Sequence, residues 1–390
     1  MYHRIALGIS LAFMLSHTAC HHRTVSWPAQ GPNAWAGWRI AAEQGAEPQP
    51  VDEARVAGER LVAPRGAGVR SPALPVDSLQ YYRLKIQADH SAPTLLHVDN
   101  YDADGGFMTD HVATLINGDG SGQLHFTRTK LGANSIEVLM QPEASGAVEL
   151  ESFAMRPAAR RSEVADWADS LYAEMPPLKW TAPLERWKHL ETFQNKLLAG
   201  GVRRVVMLGD SIINDTGNSP MDVLIERHYP RLQLEVITSV ANGKGCGYYR
   251  HENRVTEYVT RYQPELVIIG GISHGNDIEA IRDVIHQIRA ENSADILLMT
   301  GAFGRGEDPR AIEGWQAELP DDSSHYRARL KGLAQAEGVG YFDLRGAWGG
   351  YFLGIEEPME YFMRDNTHAN VRGAQVLARL MERFFAPDSQ

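Results

Sequence analysis

Two different hydrophobic patterns follow one another along the chain. From Tyr81 to Met155, short segments alternate apolar with polar residues, and turn signals such as Asp104-Gly105-Gly106 separate them. These segments are YYRLKIQA, TLLHVDNY, GQLHFTRTKL, NSIEVLMQ and AVELESFAM. Regular short strands with glycine turns are typical of an all-β sandwich. The preceding stretch, from about Trp27 to Arg70, is rich in Ala, Gly and Pro, and we expect it to hold leading strands mixed with loop.

Beyond residue 157 the pattern changes to strands that alternate with helices. Strands are predicted at VVML, LQLEVITSV, LVIIGG, ADILLMT and VGYFDL. Helices are predicted at SEVADWADSLYAEM, LERWKHLETFQNKLLAG, Pro220 to Arg227, VTEYVTRY, DIEAIRDVIHQIRAE, SHYRARLKGLAQAEG and VRGAQVLARLMERFF. This alternation predicts βαβ units and a parallel, doubly wound sheet. The chain is therefore expected to form two domains, a β-sandwich over residues 28–156 and an α/β domain over residues 157–390.

The amino-terminal residues 1–19 have the layout of a secretory signal. Arg4 precedes an apolar run from Ile5 to Leu15, which is too short to span a bilayer as a helix. Cys20 follows directly and resembles the lipidated cysteine of a lipoprotein signal, although His17 stands where that pattern prefers leucine. We expect an exported protein, either a periplasmic or outer-membrane or cell-surface lipoprotein, or a secreted protein without an anchor.

Cysteine content and charge exclude several classes of function. Cys20 and Cys246 are the two cysteines, so if Cys20 is lipidated the other has no partner, and a CxxC metal or redox site is impossible. The formal net charge of −11 argues against a nucleic-acid partner. No second hydrophobic segment approaches membrane-spanning length.

Metal binding finds little support in the spacing of the acidic residues and histidines. Asp99, Asp102 and Asp104 could bind Ca²⁺ through oxygen ligands, but they lack the twelve-residue loop with its closing glutamate. We interpret them as carboxylates of a hairpin turn. His251 and His286 lack ligand spacing, and we expect no metal or cofactor.

The candidate chemistry begins at the end of the first strand of the α/β domain. The apolar run VVML stops at Gly209, and Asp210 and Ser211 follow at once. Ligands of a parallel sheet collect beyond the carboxyl ends of its strands, which makes Ser211 a candidate nucleophile. Taken alone, Gly-Asp-Ser is more often an ordinary helix cap than a nucleophile, so the other loops have to decide.

Three further loops at the same edge of the predicted sheet carry polar or glycine-rich segments. Residues 241–247 follow the second strand and read ANGKGCG, and residues 273–277 follow the third and read SHGND. Asp365 and His368 precede the last helix, with Asn370 and Gly373 behind them. Because these loops converge on one crevice, we expect their side chains to meet near Ser211.

These motifs resemble those of the SGNH, or GDSL-type, hydrolase superfamily over roughly residues 185–390. The first block is GDS with a hydrophobic residue after it, here Ile212, and the last block is DxxH, here Asp365 and His368. The resemblance implies a flavodoxin-like, three-layer αβα fold without a metal. It also implies an ester hydrolase in which Ser211 is the nucleophile, His368 the base and Asp365 the residue that orients the base.

The same resemblance implies an oxyanion hole formed by Ser211, a glycine of the second loop and the asparagine of the third. We place the glycine at Gly245, with Gly243 and Gly247 as alternatives, and the asparagine at Asn276.

The third block departs from the family pattern, because His274 occupies the position of its glycine. If that loop is built differently, a backbone N–H near Gly271 or Ser273 could take the place of Asn276. We interpret His274 as a neighbour or a substrate contact, since His368 meets the family position of the base.

Polar residues near the candidate site have two possible interpretations. Asn214, Asp215 and Asn218 either line the pocket or cap the next helix, and we favour capping. Lys244 and Arg250 could meet an acidic sugar, but solvated loop charges are the more common explanation.

The predicted sandwich resembles jelly-roll domains that accompany extracellular polysaccharide enzymes, and so it is carbohydrate-binding-like. Its aromatic residues could stack on sugar rings, although we expect most of them to be core or interface residues. They are Trp27, Trp35, Trp38, Tyr81, Tyr82 and Tyr101.

Exported SGNH proteins with this domain order resemble carbohydrate esterases, so an acetylated, xylan-like glycan is the leading substrate class. A lipase or lysophospholipase, an acetyltransferase, and an inactive glycan-binding envelope lipoprotein are the alternatives.

Overall fold

The protein divides into two compact units, which are described separately. One comprises Met1–Asp110 with Leu115–Ala158, and the other comprises His111–Thr114 with Ala159–Gln390. The computed structural model describes residues 24–27, 34–41, 49–50, 56–57, 60–115, 119–143, 146–302, 307–319 and 325–388. The predicted signal segment and Cys20 lie outside these residues. Within them, no helix combines the length and the apolar character needed to cross a bilayer.

The first unit consists of two antiparallel sheets. Its strands are β1 (Val25–Trp27), β2 (Arg39–Ala41), β3 (Gln49–Pro50), β4 (Val56–Ala57), β5 (Arg60–Val62), β6 (Gly68–Arg70), β7 (Leu74–Pro75), β8 (Tyr81–His90), β9 (Thr94–Tyr101), β10 (Phe107–Leu115), β11 (Asp119–Arg128), β12 (Ser135–Pro142) and β13 (Val148–Pro157). One sheet has the order β11-β8-β13-β5-β4, with β1 on β13, and the other has the order β10-β9-β12-β6-β2-β3, with β7 on β12.

Aromatic side chains join the two sheets in the core of this unit. The ring of Trp38 lies 5.5 Å from that of Phe153 on β13 and 5.5 Å from that of Trp35. Tyr81 and Tyr82 are buried as well. The interpretation of these four candidate aromatics as core residues is therefore confirmed, and Trp27 packs against Trp38 at 5.9 Å. Tyr101 is half-buried beside the exposed Phe107.

The three aspartates considered for Ca²⁺ have separate roles. Asp102 accepts hydrogen bonds from the N–H groups of Asp104 and Gly106 at 3.0 and 2.7 Å, as a turn carboxylate does. Asp99, predicted to share this turn, instead lies inside β9 and pairs with Arg70 at 2.6 Å. In the part of the chain that the structure describes, no group of three or more His, Cys, Asp or Glu is placed to hold a metal.

His125 on β11 is expected to make the protein less stable in mild acid. Burial lowers the pKa of its imidazole from 6.5 to about 4. Above pH 6.5 His125 is neutral in both the folded and the unfolded chain. Between that pH and about 4 the unfolded chain binds a proton that the folded chain does not, so the free energy of unfolding falls by up to about 1.4 kcal/mol per pH unit.

Urea unfolding of the wild type and of His125→Gln at pH 7, 6 and 5 tests this expectation. The variant should lose less free energy of unfolding than the wild type on going from pH 7 to 5. Parallel pH profiles for the two proteins would contradict it.

The second unit is built on a parallel sheet flanked by helices, which confirms the predicted α/β fold class. Its strands are β14 (Gly201–Gly209), β15 (Leu232–Val240), β16 (Leu266–Ile269), β17 (Asp295–Met299) and β18 (Gly340–Phe342), in the order β15-β14-β16-β17-β18. Its helices are α1 (Ala165–Ala173), α2 (Glu191–Ala199), α3 (Ser211–Asn218), α4 (Met221–Glu226), α5 (Cys246–Tyr249), α6 (Arg254–Tyr258), α7 (Ile278–Glu291), α8 (Tyr326–Glu337), α9 (Leu344–Leu353) and α10 (Val371–Phe385). This strand order is flavodoxin-like. From β14 the chain first adds β15 on one side of the sheet and then adds β16 on the other side of β14, so the carboxyl ends of β14 and β16 form a topological switch point.

The helix predicted at LERWKHLETFQNKLLAG is wrong as a continuous element. A 3₁₀ turn covers Leu184–Trp187, the backbone of His189 has a positive φ of 68°, and α2 begins only at Glu191. Arg186 in the turn donates to the carbonyl groups of Phe384 and Ala386 beyond it in the chain. These tertiary hydrogen bonds outweigh the local helix propensity.

Helix α9 is absent from the sequence prediction because glycine is a poor helix former. Its sequence is LRGAWGGYFL. A Cβ atom at Gly349 would lie 2.1 Å from the ring of Trp315, so the glycine is required for close packing at that position.

Candidate active site

Ser211 is the first residue of α3, directly beyond the carboxyl end of β14. Asp210 is the N-cap of this helix, and its carboxylate accepts a hydrogen bond from the N–H of Ile212 at 3.0 Å. A Cβ atom at Gly209 would lie 2.1 Å from the carbonyl oxygen of Gly270. The Gly-Asp-Ser turn therefore requires glycine at position 209, and Asp210 caps α3. Ser211 lies at the topological switch point beside the carboxyl end of β14.

The structure brings Ser211, His368 and Asp365 into one chain of hydrogen bonds. Ser211 Oγ lies 2.8 Å from His368 Nε2, and His368 Nδ1 lies 2.8 Å from Asp365 Oδ2. A carboxylate can only accept, so Nδ1 carries the proton and Nε2 is left to accept the hydrogen bond of the serine hydroxyl. This is the tautomer that a general base requires.

Local backbone groups hold Asp365 in its ionised form. Burial opposes ionisation, but Asp365 Oδ1 accepts hydrogen bonds from the N–H groups of Thr367 and His368, both at 2.7 Å. Together with the His368 ring, these bonds keep the pKa of Asp365 below its usual value. The carboxylate is therefore fixed in position and charge by its own turn.

Asp210 also ties the first loop to the third. Its Oδ2 accepts hydrogen bonds from the N–H groups of Ile272 and Ser273 at 2.8 and 2.7 Å. Gly271 has a φ of 110°, and a Cβ atom there would lie 2.5 Å from Asp210 Oδ1. The loop after β16 is thus held against the residue that precedes Ser211.

His274 is a structural neighbour in this arrangement and not a second base. The ring is buried, its Nδ1 accepts from the N–H of Cys246 at 3.1 Å, and its Nε2 donates to the carbonyl of Gly270 at 2.9 Å. Because Nδ1 accepts a hydrogen bond and Nε2 donates one, both nitrogens of the neutral ring are engaged. Burial lowers the pKa of His274, which acts in the same direction. The histidine therefore links the second loop to the third.

Gly245 is distinguished from the other two glycines of the second loop by what surrounds it. A Cβ atom at Gly245 would lie 2.3 Å from the carbonyl oxygen of Ser273, whereas a Cβ atom at Gly243 would contact nothing within 4 Å. A Cβ atom at Gly247 would meet only Asp277 Oδ2, at 3.9 Å. Only Gly245 therefore packs its backbone flat against the third loop.

Asn276 lies on the third loop in a left-handed backbone conformation with a φ of 61°, which asparagine tolerates better than most residues. The residue is exposed, and the following Asp277 caps α7 by accepting from the N–H of Ala280 at 3.0 Å. Asn276 thus stands free of the packing that fixes His274, on the loop that Asp210 holds.

Asp215 is not a helix cap, contrary to the interpretation favoured from the sequence. Asn214, Asp215 and Asn218 all lie within α3, and Asp210 caps it. Asp215 is buried and forms an ion pair with Arg364 at 2.9 Å. Sequence reasoning missed Arg364, and the only signal was its place directly before Asp365.

The remaining candidate residues make ordinary surface contacts. Lys244 Nζ lies 5.8 Å from the centre of the Tyr248 ring, and Arg250 pairs with Asp283 at 3.3 Å. His251 Nε2 accepts from Arg250 Nε at 3.2 Å, and His286 lies 2.9 Å from Glu337. The contacts of Lys244 and Arg250 are those of loop charges near solvent.

Comparisons with family models and with curated proteins find no match. Among solved structures, a two-domain esterase active on acetylated mannans is 14% identical with a TM-score of 0.40, and the match covers 51% of this chain and 52% of that one. The chain therefore spans about half the length of that esterase.

Two further solved structures are similarly distant. A catalytic mutant of Axe2, an acetylxylan esterase from Geobacillus stearothermophilus, is 19% identical with a TM-score of 0.37, over 48% of this chain and 96% of that one. A salicylyl-acyltransferase from a tetracycline biosynthetic pathway is 13% identical with a TM-score of 0.32, over 92% and 95%. Each is a protein to which this chain bears a remote likeness.

Proposed function

We propose that this protein is an exported serine esterase that removes O-acetyl groups from a polysaccharide or oligosaccharide through an acyl-enzyme. One observation carries the proposal, the hydrogen-bond chain from Ser211 Oγ through His368 to Asp365, with 2.8 Å at each step. A serine hydroxyl is a weak nucleophile on its own, and a base within this distance is what activates it.

In the proposed reaction, His368 Nε2 takes the proton of Ser211 as the serine oxygen attacks the acetyl carbonyl. The tetrahedral intermediate collapses when His368 gives this proton to the ester oxygen of the sugar. The bond from that oxygen to the acetyl carbon breaks, the sugar leaves with a free hydroxyl group, and the acetyl group remains on Ser211. Water then attacks the acetyl-serine, again with His368 as base, and acetate is released. Asp365 stabilises the imidazolium that forms in both halves of the reaction.

The N–H groups of Ser211 and Gly245 and the amide of Asn276 are proposed to bind the oxyanion. The packing of Gly245 against Ser273 supports its choice among the three glycines. Losing one donor of this type typically costs about 10²- to 10³-fold in kcat.

A glycan substrate is supported by the order of the units, a β-sandwich before the α/β unit, and by the predicted export signal. Acetylated xylan and acetylated mannan are accordingly the first substrates to test.

Substrate class is tested by comparing three activities of the purified protein. We expect hydrolysis of 4-nitrophenyl acetate, little or no hydrolysis of 4-nitrophenyl palmitate, and release of acetate from at least one acetylated glycan. Turnover of the palmitate ester alone would identify a lipase. Acetyl transfer to a sugar acceptor in preference to water would identify an acetyltransferase.

A fluorophosphonate probe distinguishes an inactive, glycan-binding protein from these serine enzymes. The probe is expected to label Ser211 in the folded protein, and no labelling together with no hydrolysis would overturn the proposed function.

A further inference from the structure

A buried ion pair lies directly behind the candidate catalytic turn. Asp215 Oδ1 and Arg364 Nη1 are 2.9 Å apart, and the side chains are only 6% and 8% exposed. Asp215 Oδ2 accepts a hydrogen bond from the N–H of Ala369 at 3.0 Å, and Arg364 Nη1 donates to the carbonyl of Ala369 at 2.5 Å. The pair therefore holds both backbone polar groups of the residue that follows His368.

The helix that carries Ser211 also carries Asp215. Residues four apart in a helix lie on the same face, so Ser211 and Asp215 both face the turn that contains His368. Two connections then run side by side from α3 to this turn, Ser211 to His368 at 2.8 Å and Asp215 to the N–H of Ala369 at 3.0 Å. The second connection does not involve a reacting atom.

The turn itself is closed by backbone hydrogen bonds. The N–H of Arg364 donates to the carbonyl of His368 at 3.0 Å, and Met363 pairs with Ala369 in an antiparallel bridge. Because these contacts connect both ends of the turn, fixing Ala369 also restricts where the imidazole of His368 lies relative to Ser211.

We propose that Asp215 and Arg364 are positioning residues that set the distance and angle between His368 and Ser211. The proposal rests on the proposed function and adds to it two residues outside the Ser-His-Asp triad. A buried ion pair is weak evidence for stability, since apolar residues of similar volume often stabilise a core equally well. What apolar residues could not supply is the acceptor for the Ala369 N–H and the donor for its carbonyl.

Burial raises the pKa of Asp215, while the charges of Arg364 and His368 act in the opposite direction. The ionised form of Asp215 therefore depends on the charges of its partners. Removing Arg364 is expected to disturb the hydrogen bonds to Ala369 as much as substituting Asp215 does.

Asp215→Asn tests the proposal with little change in shape. We expect kcat for 4-nitrophenyl acetate to fall about 10- to 100-fold with KM within about two-fold of the wild type, since a small misplacement of reacting groups has effects of this size. Arg364→Lys, which keeps the charge, should lose less of kcat than Arg364→Met does.

Asp222→Asn is the matched control. Asp222 lies on the next helix, α4, is also buried, and also pairs with an arginine, Arg160, at 3.0 Å. That arginine donates to the carbonyl of Leu234 on β15, whereas Arg364 donates to the carbonyl of Ala369 in the catalytic turn. Its variant is expected to lose stability without losing kcat. Equal losses of kcat in Asp215→Asn and Asp222→Asn would reduce the role of the pair to general stability and overturn the proposal.

A readout that does not depend on activity comes from NMR of protein with ¹⁵N-labelled histidine. The resonance of the His368 Nδ1 proton should shift or broaden in Asp215→Asn and in Arg364→Met, and should stay unchanged in Asp222→Asn. An unchanged His368 resonance and kcat in folded Asp215→Asn would contradict the proposal. If the wild type hydrolyses no ester, the proposed function fails, whereas the NMR comparison still tests the pair. Should Asp215→Asn not fold, Arg364→Lys and Arg364→Met provide the same two readouts.

Discussion

Replacing Ser211 with alanine is expected to lower kcat for 4-nitrophenyl acetate and for an acetylated glycan by about 10⁴- to 10⁶-fold. The reason is that no acyl-enzyme can form once the hydroxyl is gone, and only the oxyanion donors and substrate binding remain to accelerate attack by water. Labelling by a fluorophosphonate should disappear in the same variant. The free energy of unfolding should change little, because the hydroxyl makes one hydrogen bond, to His368.

Ser219→Ala provides the control within the same segment of the chain. Ser219 follows α3 directly, is buried, and donates to the carbonyl of Thr216 at 2.5 Å. Its variant should retain labelling and kcat within about two-fold. Loss of the hydrogen bond from Ser219 to Thr216 affects the stability of the fold and not the reacting atoms. Residual kcat above one tenth of the wild-type value in Ser211→Ala would show that another residue is the nucleophile.

The fold of the second unit could be predicted because its strands are buried on both faces. The run Val205–Leu208 is entirely apolar and entirely buried, which is the pattern of a central parallel strand. The candidate triad could be predicted for a related reason. In a parallel sheet, loops that are distant in sequence meet at one edge, which predicts that the polar loops converge. The choice of Ser211, Asp365 and His368 within those loops came from the resemblance of the GDS and DxxH motifs to those of SGNH hydrolases.

The positions that sequence reasoning missed depend on tertiary contacts. The sequence pattern favoured a capping role for Asp215 and gave no reason to single out Arg364, and only the fold buries the two side chains together at 2.9 Å. The three glycines of the second loop look equivalent for the same reason. Gly245 differs from the other two because its backbone packs against the carbonyl oxygen of Ser273. Ser273 belongs to another loop, 28 residues further along the chain (273 − 245).

Asp210→Asn is expected to lower both kcat and stability, because the asparagine amide cannot replace both carboxylate oxygens. Asp210 accepts from the N–H of Ile212 at one oxygen and from those of Ile272 and Ser273 at the other. Whichever way the amide is turned, its NH₂ group faces at least one backbone N–H, and donor meets donor. Each buried N–H left without an acceptor costs about 1–3 kcal/mol of the free energy of unfolding.

The larger effect of Asp210→Asn should be on catalysis. If the third loop moves away from Ser211, the oxyanion loses the donor proposed at Asn276, and kcat is expected to fall by about 10²- to 10³-fold. Steady-state kinetics with 4-nitrophenyl acetate measure this loss, and urea unfolding measures the stability of the same sample.

Asp277→Asn separates the role of the loop from the loss of a charge near it. Asp277 accepts a single hydrogen bond as the cap of α7, and asparagine caps a helix about as well as aspartate does. We therefore expect this variant to keep most of its kcat. If Asp210→Asn and Asp277→Asn lower kcat equally, charge near the site is the common cause. If only Asp210→Asn does, the carboxylate acts by holding the third loop in place, and the oxyanion hole is then a product of two loops tied together at the residue before the nucleophile.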